Sequence, residues 1–296
     1  MPATKPHNMG TNSIKQFPLD QDQYRLIDFG GNEKLEFFGG KTVRRETPSA
    51  TGRKTAGVDW SCAELTFKSS RQSSHWAGES GADWLMEQGS MRLHLRQTPT
   101  GQVGVFPEQA ANWNWIEQLP IDLSGAKAIN LFAYTGGTTL ALAQRGAHVV
   151  HCDAAKSVVN WARSNASASG LENVPIRWIV EDALTFVRRE IKRGNQYQIV
   201  VADPPSFGRG PGGESWKIQR DLSTLVQGLA QLTKDDARMV LISCHTPELD
   251  HSKLRSIVSD AFRGATGSGE SLELKIPALS GKSLVSGQCF RWFNKN

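Results

Sequence analysis

From residue 127 onward, short apolar runs and amphipathic stretches take turns along the chain. The runs 128–132, 147–153, 176–180, 198–202 and 237–244 are dominated by Ala, Val, Ile and Leu and have the length of buried strands. Between them, 138–145, 155–169, 183–193, 216–232 and 249–262 repeat apolar residues at helical spacing. Gly146, Gly170 and Gly194 stand where the first three of these helices should stop. Two last strands, near 272–276 and 288–292, have no helix between them. This order predicts an α/β fold: a mostly parallel sheet with an antiparallel last strand.

The earlier part of the chain follows another rhythm. Residues 24–29, the turn Gly30-Gly31-Asn32 and residues 34–38 read as a hairpin, and 63–67 and 91–96 alternate like half-buried strands. The polar stretch 69–80 reads as a loop. Residues 112–118, with Trp113, Trp115 and Ile116 against a polar face, predict a helix entering the second region. Residues 1–15 are polar and aperiodic and are expected to be disordered. The organisation read from the pattern is a disordered start (1–15), a smaller β-rich N-terminal domain (16–104) and an α/β domain (105–296).

Composition changes this picture little. Of the 296 residues, 39% are hydrophobic and 21% charged, values of a globular chain. No apolar run reaches the roughly 18 to 20 residues of a membrane span. The first ten residues lack the apolar core of a signal peptide. A protein of the cytoplasm, away from membranes, is the expectation. Cys62, Cys152, Cys244 and Cys289 are far apart and form neither a ligand-spaced cluster nor a disulfide framework, so no metal is expected. A net charge of +5 leans mildly toward a polyanionic partner. The basic run at 41–45 reads as a phosphate contact or a charged strand edge, and the one at 188–193 as a solvated helix face.

Candidate chemistry collects where strands end. Parallel sheets bind ligands beyond the carboxyl ends of their strands, at the switch point. There the first strand runs into Phe132-Ala133-Tyr134-Thr135-Gly136-Gly137, a turn that suits close backbone approach to a ligand or simply a tight connection. Asp153 closes the second strand and Asp182 the third; each suits a nucleoside, on ribose and adenine respectively, and each equally suits a helix cap. The fourth strand ends in Asp203-Pro204-Pro205-Ser206-Phe207. The turn lacks the G-x-G-x-x-G of a pyrophosphate cradle, which argues against a nicotinamide dinucleotide. A nucleoside that carries an amino acid fits better, and S-adenosylmethionine is one.

Residues 127–245 resemble the core of class I S-adenosylmethionine-dependent methyltransferases. Asn-Leu-Phe-x-Tyr-Thr-Gly at 130–136, Asp-Pro-Pro-x-Phe at 203–207 and the upstream Gly104-Val105-Phe106-Pro107-Glu108-Gln109 are similar to the bacterial 23S ribosomal RNA methyltransferase group, cytosine-C5 and guanine-N7 types. The stretch 24–38 looks like the β-rich leader of PUA-less relatives. The resemblance implies a seven-stranded Rossmann-like sheet and S-adenosylmethionine as cofactor. It implies contacts from Phe132, Ala133, Tyr134, Thr135 and Gly136 to the methionine part, Asp153 to the ribose, Asp182 and Ala183 to the adenine, and Asp203 beside the sulfonium. Gln109 joins them from the entry segment. The partner implied is ribosomal RNA; a small-molecule or protein acceptor, or binding without catalysis, is the alternative. The N-terminal β region also suits pairing across a homodimer.

For the chemistry itself, Pro204 and Pro205 fix the backbone after Asp203 and leave carbonyls for a flat acceptor. Phe207 reads as a stacking platform or as core. Cys244, in Ser243-Cys244-His245 at the end of the fifth strand, resembles the nucleophile that attacks C6 when cytosine is methylated at C5. It reads equally as a small buried hydrophobe. Asp203, Pro204, Pro205, Phe207 and Cys244 are thus the catalytic candidates.

Overall fold

The computed structural model describes residues 20–69, 73–78, 81–233, 236–263 and 267–294; the segment 1–15 lies outside them. The first region forms a five-stranded sheet whose spatial order follows the chain: β1 (Tyr24–Gly30), β2 (Glu33–Phe38), β3 (Lys41–Glu46), β4 (Leu65–Ser69) and β5 (Ser74–Ala77). β1 and β2 are the expected hairpin. β5 falls in the stretch read as a loop, because its residues are mostly exposed and carry no alternation; pairing with β4 makes it a strand. The basic run at 41–45 is an inner strand. Arg45 is buried against Glu36 and Arg44 pairs with Glu33, both at 2.7 Å, so neither offers a phosphate site. A separate hairpin joins β6 (Trp84–Gln88) to β7 (Met91–Leu95).

A 3-10 turn (Pro107–Gln109) and α1 (Ala110–Gln118) lead into the α/β region. There follow β8 (Lys127–Leu131), α2 (Gly137–Gln144), β9 (His148–Asp153), α3 (Lys156–Ala168), β10 (Ile176–Val180), α4 (Ala183–Lys192) and β11 (Ile199–Ala202). A two-stranded ribbon, β12 (Phe207–Arg209) and β13 (Ser215–Lys217), precedes α5 (Ile218–Thr233), β14 (Met239–Cys244), α6 (His251–Ala261), β15 (Ser268–Pro277) and β16 (Ser283–Phe293). The seven-stranded sheet has the order β10-β9-β8-β11-β14-β16-β15. β16 runs antiparallel to both β14 and β15, and the pairs from β10 to β14 are parallel. The chain leaves β8 toward β9 and returns to β11 on its other side, so the switch point lies between β8 and β11.

Nearly continuous apolar strands bury both sheet faces, as a parallel sheet covered by helices requires. One core runs from Tyr24 and Leu26 through Leu93, Ile116 and Leu142 to Leu241 and Leu284, and therefore spans both regions of the chain. The Leu279 amide donates to the Leu26 carbonyl at 2.9 Å, tying the last strand pair to β1. Two further short elements escaped the pattern: β12 and β13 hold three residues each inside a glycine-rich stretch, too short for any period to show.

Packing explains one of the two glycines after β8. A Cβ on Gly137 would lie 2.3 Å from Cζ2 of Trp113 on α1, which forces a shift of a large buried ring. Gly137→Ala should therefore destabilise the protein by roughly 1 to 3 kcal/mol, as overpacked cores do. Urea unfolding measures this, and an unchanged midpoint contradicts the reading.

Candidate active site

The chain leaves β8 through a run of left-handed residues: Phe132 (φ 53°), Tyr134 (φ 48°) and Gly136 (φ 93°). Positive φ is unusual for large side chains and persists only where neighbours impose it. Here the Ala133 amide donates to the Cys152 carbonyl at 3.1 Å, and the Tyr134 amide to Asp153 Oδ2 at 2.9 Å. Thr135 Oγ1 donates to the Gly104 carbonyl at 2.6 Å, and Asn165 Nδ2 to the Thr135 carbonyl at 2.9 Å. The end of β9, the entry segment and α3 thus mould the turn. Gly136 meets its backbone requirement, while Gly137 makes room for Trp113.

Beside this turn opens a cleft of about 460 Å³ bordered by Phe132, Tyr134, Asp153, Asp182, Ala183, Asp203, Trp216 and His245. A smaller recess of about 40 Å³ continues over the turn, bordered by Gln109, Ala133, Thr135 and Gly136 and sharing Phe132, Tyr134 and Asp203 with the first. Together they bring every predicted cofactor residue to one place. Of the two cap roles foreseen for the aspartates one is real: Asp182 Oδ1 accepts from the Thr185 amide at 2.9 Å and caps α4, whereas α3 has Ala155 at its N-cap and no side-chain cap. Asp153 Oδ1 accepts from the Ala155 amide at 3.0 Å. Burial raises the Asp153 pKa, and these backbone donors draw it back.

The catalytic candidates divide. Asp203 and Pro205 border the cleft, whereas Pro204 is buried and does not line it. The Pro205 carbonyl accepts from Trp216 Nε1 at 2.7 Å, so this carbonyl is already engaged. Phe207 is 67% exposed and lies outside the cleft lining, which excludes the core reading. Cys244 is fully buried within the apolar cluster that includes Ile242, Leu254, Val258 and Phe290. Alternation along β14 turns Ser243 to Asp203 and Cys244 to the opposite sheet face. Burial raises the thiol pKa. The structure therefore does not bring Cys244 to the site, and it supplies no thiolate there.

Asp203 is instead the centre of a hydrogen-bond network. Its Oδ1 accepts from Ser243 Oγ at 2.5 Å and from His245 Nε2 at 3.1 Å; its Oδ2 accepts from Gln109 Nε2 at 2.9 Å. Gln109 Oε1 accepts from Asn112 Nδ2 at 2.5 Å, and Asn112 Oδ1 from Arg291 Nε at 2.8 Å. On the other side, His245 Nδ1 donates to the Ser286 carbonyl at 2.5 Å, with Glu108 Oε1 at 3.7 Å. Burial alone would favour a neutral ring, but the Asp203 charge and these acceptors lift the His245 pKa to about 10. Burial likewise opposes the Asp203 charge, yet the imidazolium and three donors outweigh it and hold the carboxyl below its ordinary value. Both groups are charged at neutral pH.

Sequence reading missed Ser243 and His245 as partners of Asp203, and Asn112 and Arg291 as the residues that support Gln109 behind it. The adjacency of β11 and β14 would have paired Asp203 with Ser243 and His245, since all three stand at the same ends of neighbouring strands. Gly287 carries a quieter signal. Its φ is 153°, and a Cβ there would lie 2.7 Å from His245 Nδ1.

Residues 61–249 match the family profile described as S-adenosylmethionine-dependent methyltransferase. The chain belongs to that family. The crystal structure of a SAM-dependent methyltransferase from Agrobacterium tumefaciens is similar over 92% of this chain and 91% of that one, with 32% identity and a TM-score of 0.84. Ribosomal RNA large subunit methyltransferase K/L of Shewanella frigidimarina is 30% identical over 118 residues, 39% of this chain and 16% of that protein. Ribosomal RNA large subunit methyltransferase K of Neisseria meningitidis serogroup B is 24% identical over 161 residues, 54% of this chain and 45% of that protein. The chain thus spans less than half the length of these curated relatives.

The cleft fits the family's cofactor. Asp153, Asp182 and Asp203 suit a ligand with a ribose, an amino-bearing base and a cationic sulfonium, while the left-handed turn leaves room for its amino-acid end. Among the described residues no helix is long and apolar enough to cross a membrane, and no group of three His, Cys, Asp or Glu is placed to hold a metal ion.

The ion pair predicts a pH dependence. Between the ordinary imidazole value of 6.5 and about 10, the folded protein keeps a proton that the unfolded chain releases, so stability falls as pH rises through this window. For Asp203 the sign is opposite: its contribution is present above the ordinary 3.8 and is lost as pH falls through the lower folded value. Urea unfolding at pH 6, 8 and 10 should show the wild type losing its advantage over His245→Gln as pH rises. A constant difference contradicts the charged pair.

Proposed function

We propose that the protein transfers a methyl group from S-adenosylmethionine to a base of ribosomal RNA, at an atom that carries its own lone pair. The relatives named as ribosomal RNA methyltransferases support the substrate class. The observation that carries the choice of atom is the engagement of Asp203 as a charged, low-basicity carboxylate. A carboxylate with a lowered pKa and three donors is a poor proton acceptor, and the adjacent His245 imidazolium has no lone pair to offer.

When bound, S-adenosylmethionine supplies an electrophilic methyl group on a cationic sulfur. Asp203 then serves as a fixed negative charge beside that group and beside the positive charge that grows on the acceptor. Ser243, Gln109 and His245 hold the carboxylate in place, so it need not reorganise during transfer. Phe106, Tyr134 and Trp216 wall the cleft and exclude water; the Tyr134 hydroxyl, its pKa raised by burial to about 12, stays protonated. A ring nitrogen or an exocyclic amine meets these conditions. Carbon-5 of cytosine requires a nucleophile that Cys244 does not provide from the core.

Labelled-methyl transfer to total RNA, compared with a protein and a metabolite extract, tests the substrate class. Asp203→Ala should lower the rate by about 100-fold or more, as loss of one preorganised electrostatic group does. Cys244→Ala, assayed well below its unfolding temperature, should stay within about threefold of wild type, a change of well under 1 kcal/mol. Recovery of 5-methylcytosine together with an inactive, folded Cys244→Ala variant contradicts the assignment. Transfer to protein or metabolites alone overturns the RNA reading.

A further inference from the structure

Apart from Arg209, the outer face of the β12–β13 ribbon lies outside the cleft lining. Its register sets Phe207 opposite Lys217, Gly208 opposite Trp216 and Arg209 opposite Ser215. Directly opposed residues share a face, so Phe207, Lys217, Arg209 and Ser215 lie together on one side. Trp216 lies on the other, buried and bonded to the Pro205 carbonyl. The ribbon is held at both ends. The Gly210 amide donates to the Glu214 carbonyl at 2.8 Å, and the Ile218 amide to the Ser206 carbonyl at 3.1 Å.

The ribbon thus carries a phenylalanine ring that is 67% exposed, with a cation on each neighbouring position of the same face. Arg44, Arg45, Arg189 and Arg220 are all engaged by carboxylates. Among the described residues the side chains of Arg209 and Lys217 have no such partner. An unpaired guanidinium and ammonium flanking an open aromatic face form a complementary surface for a single-stranded nucleic acid, whose bases stack and whose phosphates attract cations. Arg209 also borders the cleft, so this face meets the entrance through which an acceptor base arrives.

We propose that the outer face of this ribbon binds the unpaired RNA segment flanking the methylated base. Phe207 stacks on a neighbouring base outside the cleft, and Arg209 and Lys217 contact the phosphates on either side. This assignment rests on the RNA reading given above. It gives the enzyme a means of selecting unpaired RNA, because a base held in a duplex has no free face to offer Phe207.

Fluorescence anisotropy of the full chain with a labelled 12-nucleotide oligouridine, across 50 to 300 mM KCl, tests it. Arg209→Ala and Lys217→Ala should each weaken binding and reduce the slope of log affinity against log salt by about 0.7, the value for one phosphate contact on a single strand. Phe207→Ala should weaken binding about tenfold, within the range of a lost base–aromatic stack, and Phe207→Tyr should restore it. The affinity of Phe207→Ala and Lys217→Ala for S-adenosylmethionine, measured by calorimetry, should match wild type. Variants that bind the oligomer like wild type, with an unchanged slope, overturn the ribbon assignment. If wild type also transfers no methyl group to RNA, the substrate reading falls with it; if it does, only the ribbon assignment falls.

Discussion

The half-buried ion pair between Asp203 and His245 is the interaction on which the site depends. Two charges withdrawn from water are costly unless further hydrogen bonds support them, and here both are supported. Ser243 and Gln109 complete the carboxylate; the Ser286 carbonyl and Glu108 face the imidazolium. The network begins and ends on β16, through Arg291 and Ser286. The antiparallel strand is therefore part of the site's support, and the glycine at 287 lets its backbone lie against the histidine ring.

This arrangement underlies the chemistry proposed above. A carboxylate held charged by three donors acts through its field and its position, and its low basicity removes proton abstraction from its repertoire. The cleft around it is acidic and aromatic, suited to a cationic cofactor. The turn after β8 contributes the second constraint. Its left-handed residues are held by β9, α3 and the entry segment, so the recess over it is a fixed feature of the fold.

Much of this was legible in the sequence because the parallel sheet writes itself as apolar runs bounded by glycine. The strand ends carrying Tyr134, Asp153, Asp182 and Asp203 followed from that alternation, and all line the cleft. Elements without a period were not legible: β5, exposed along most of its length, and the three-residue strands of the ribbon. Cys244 misled for a different reason. Its place at a strand end was right, but the side-chain alternation of β14 assigns the site to Ser243 and the core to Cys244. His245 was read beside the cysteine, although its partner lies across the sheet on β11. Long-range pairing of charges depends on strand order, which local pattern does not carry.

Nuclear magnetic resonance of the protein labelled with ¹⁵N-histidine tests the ion pair most directly. At pH 8 both ring nitrogens of His245 should carry protons, and the ring should titrate only near pH 10. A neutral His245 ring at pH 8, titrating near the ordinary 6.5, would contradict the assignment of Asp203 as a locked anion.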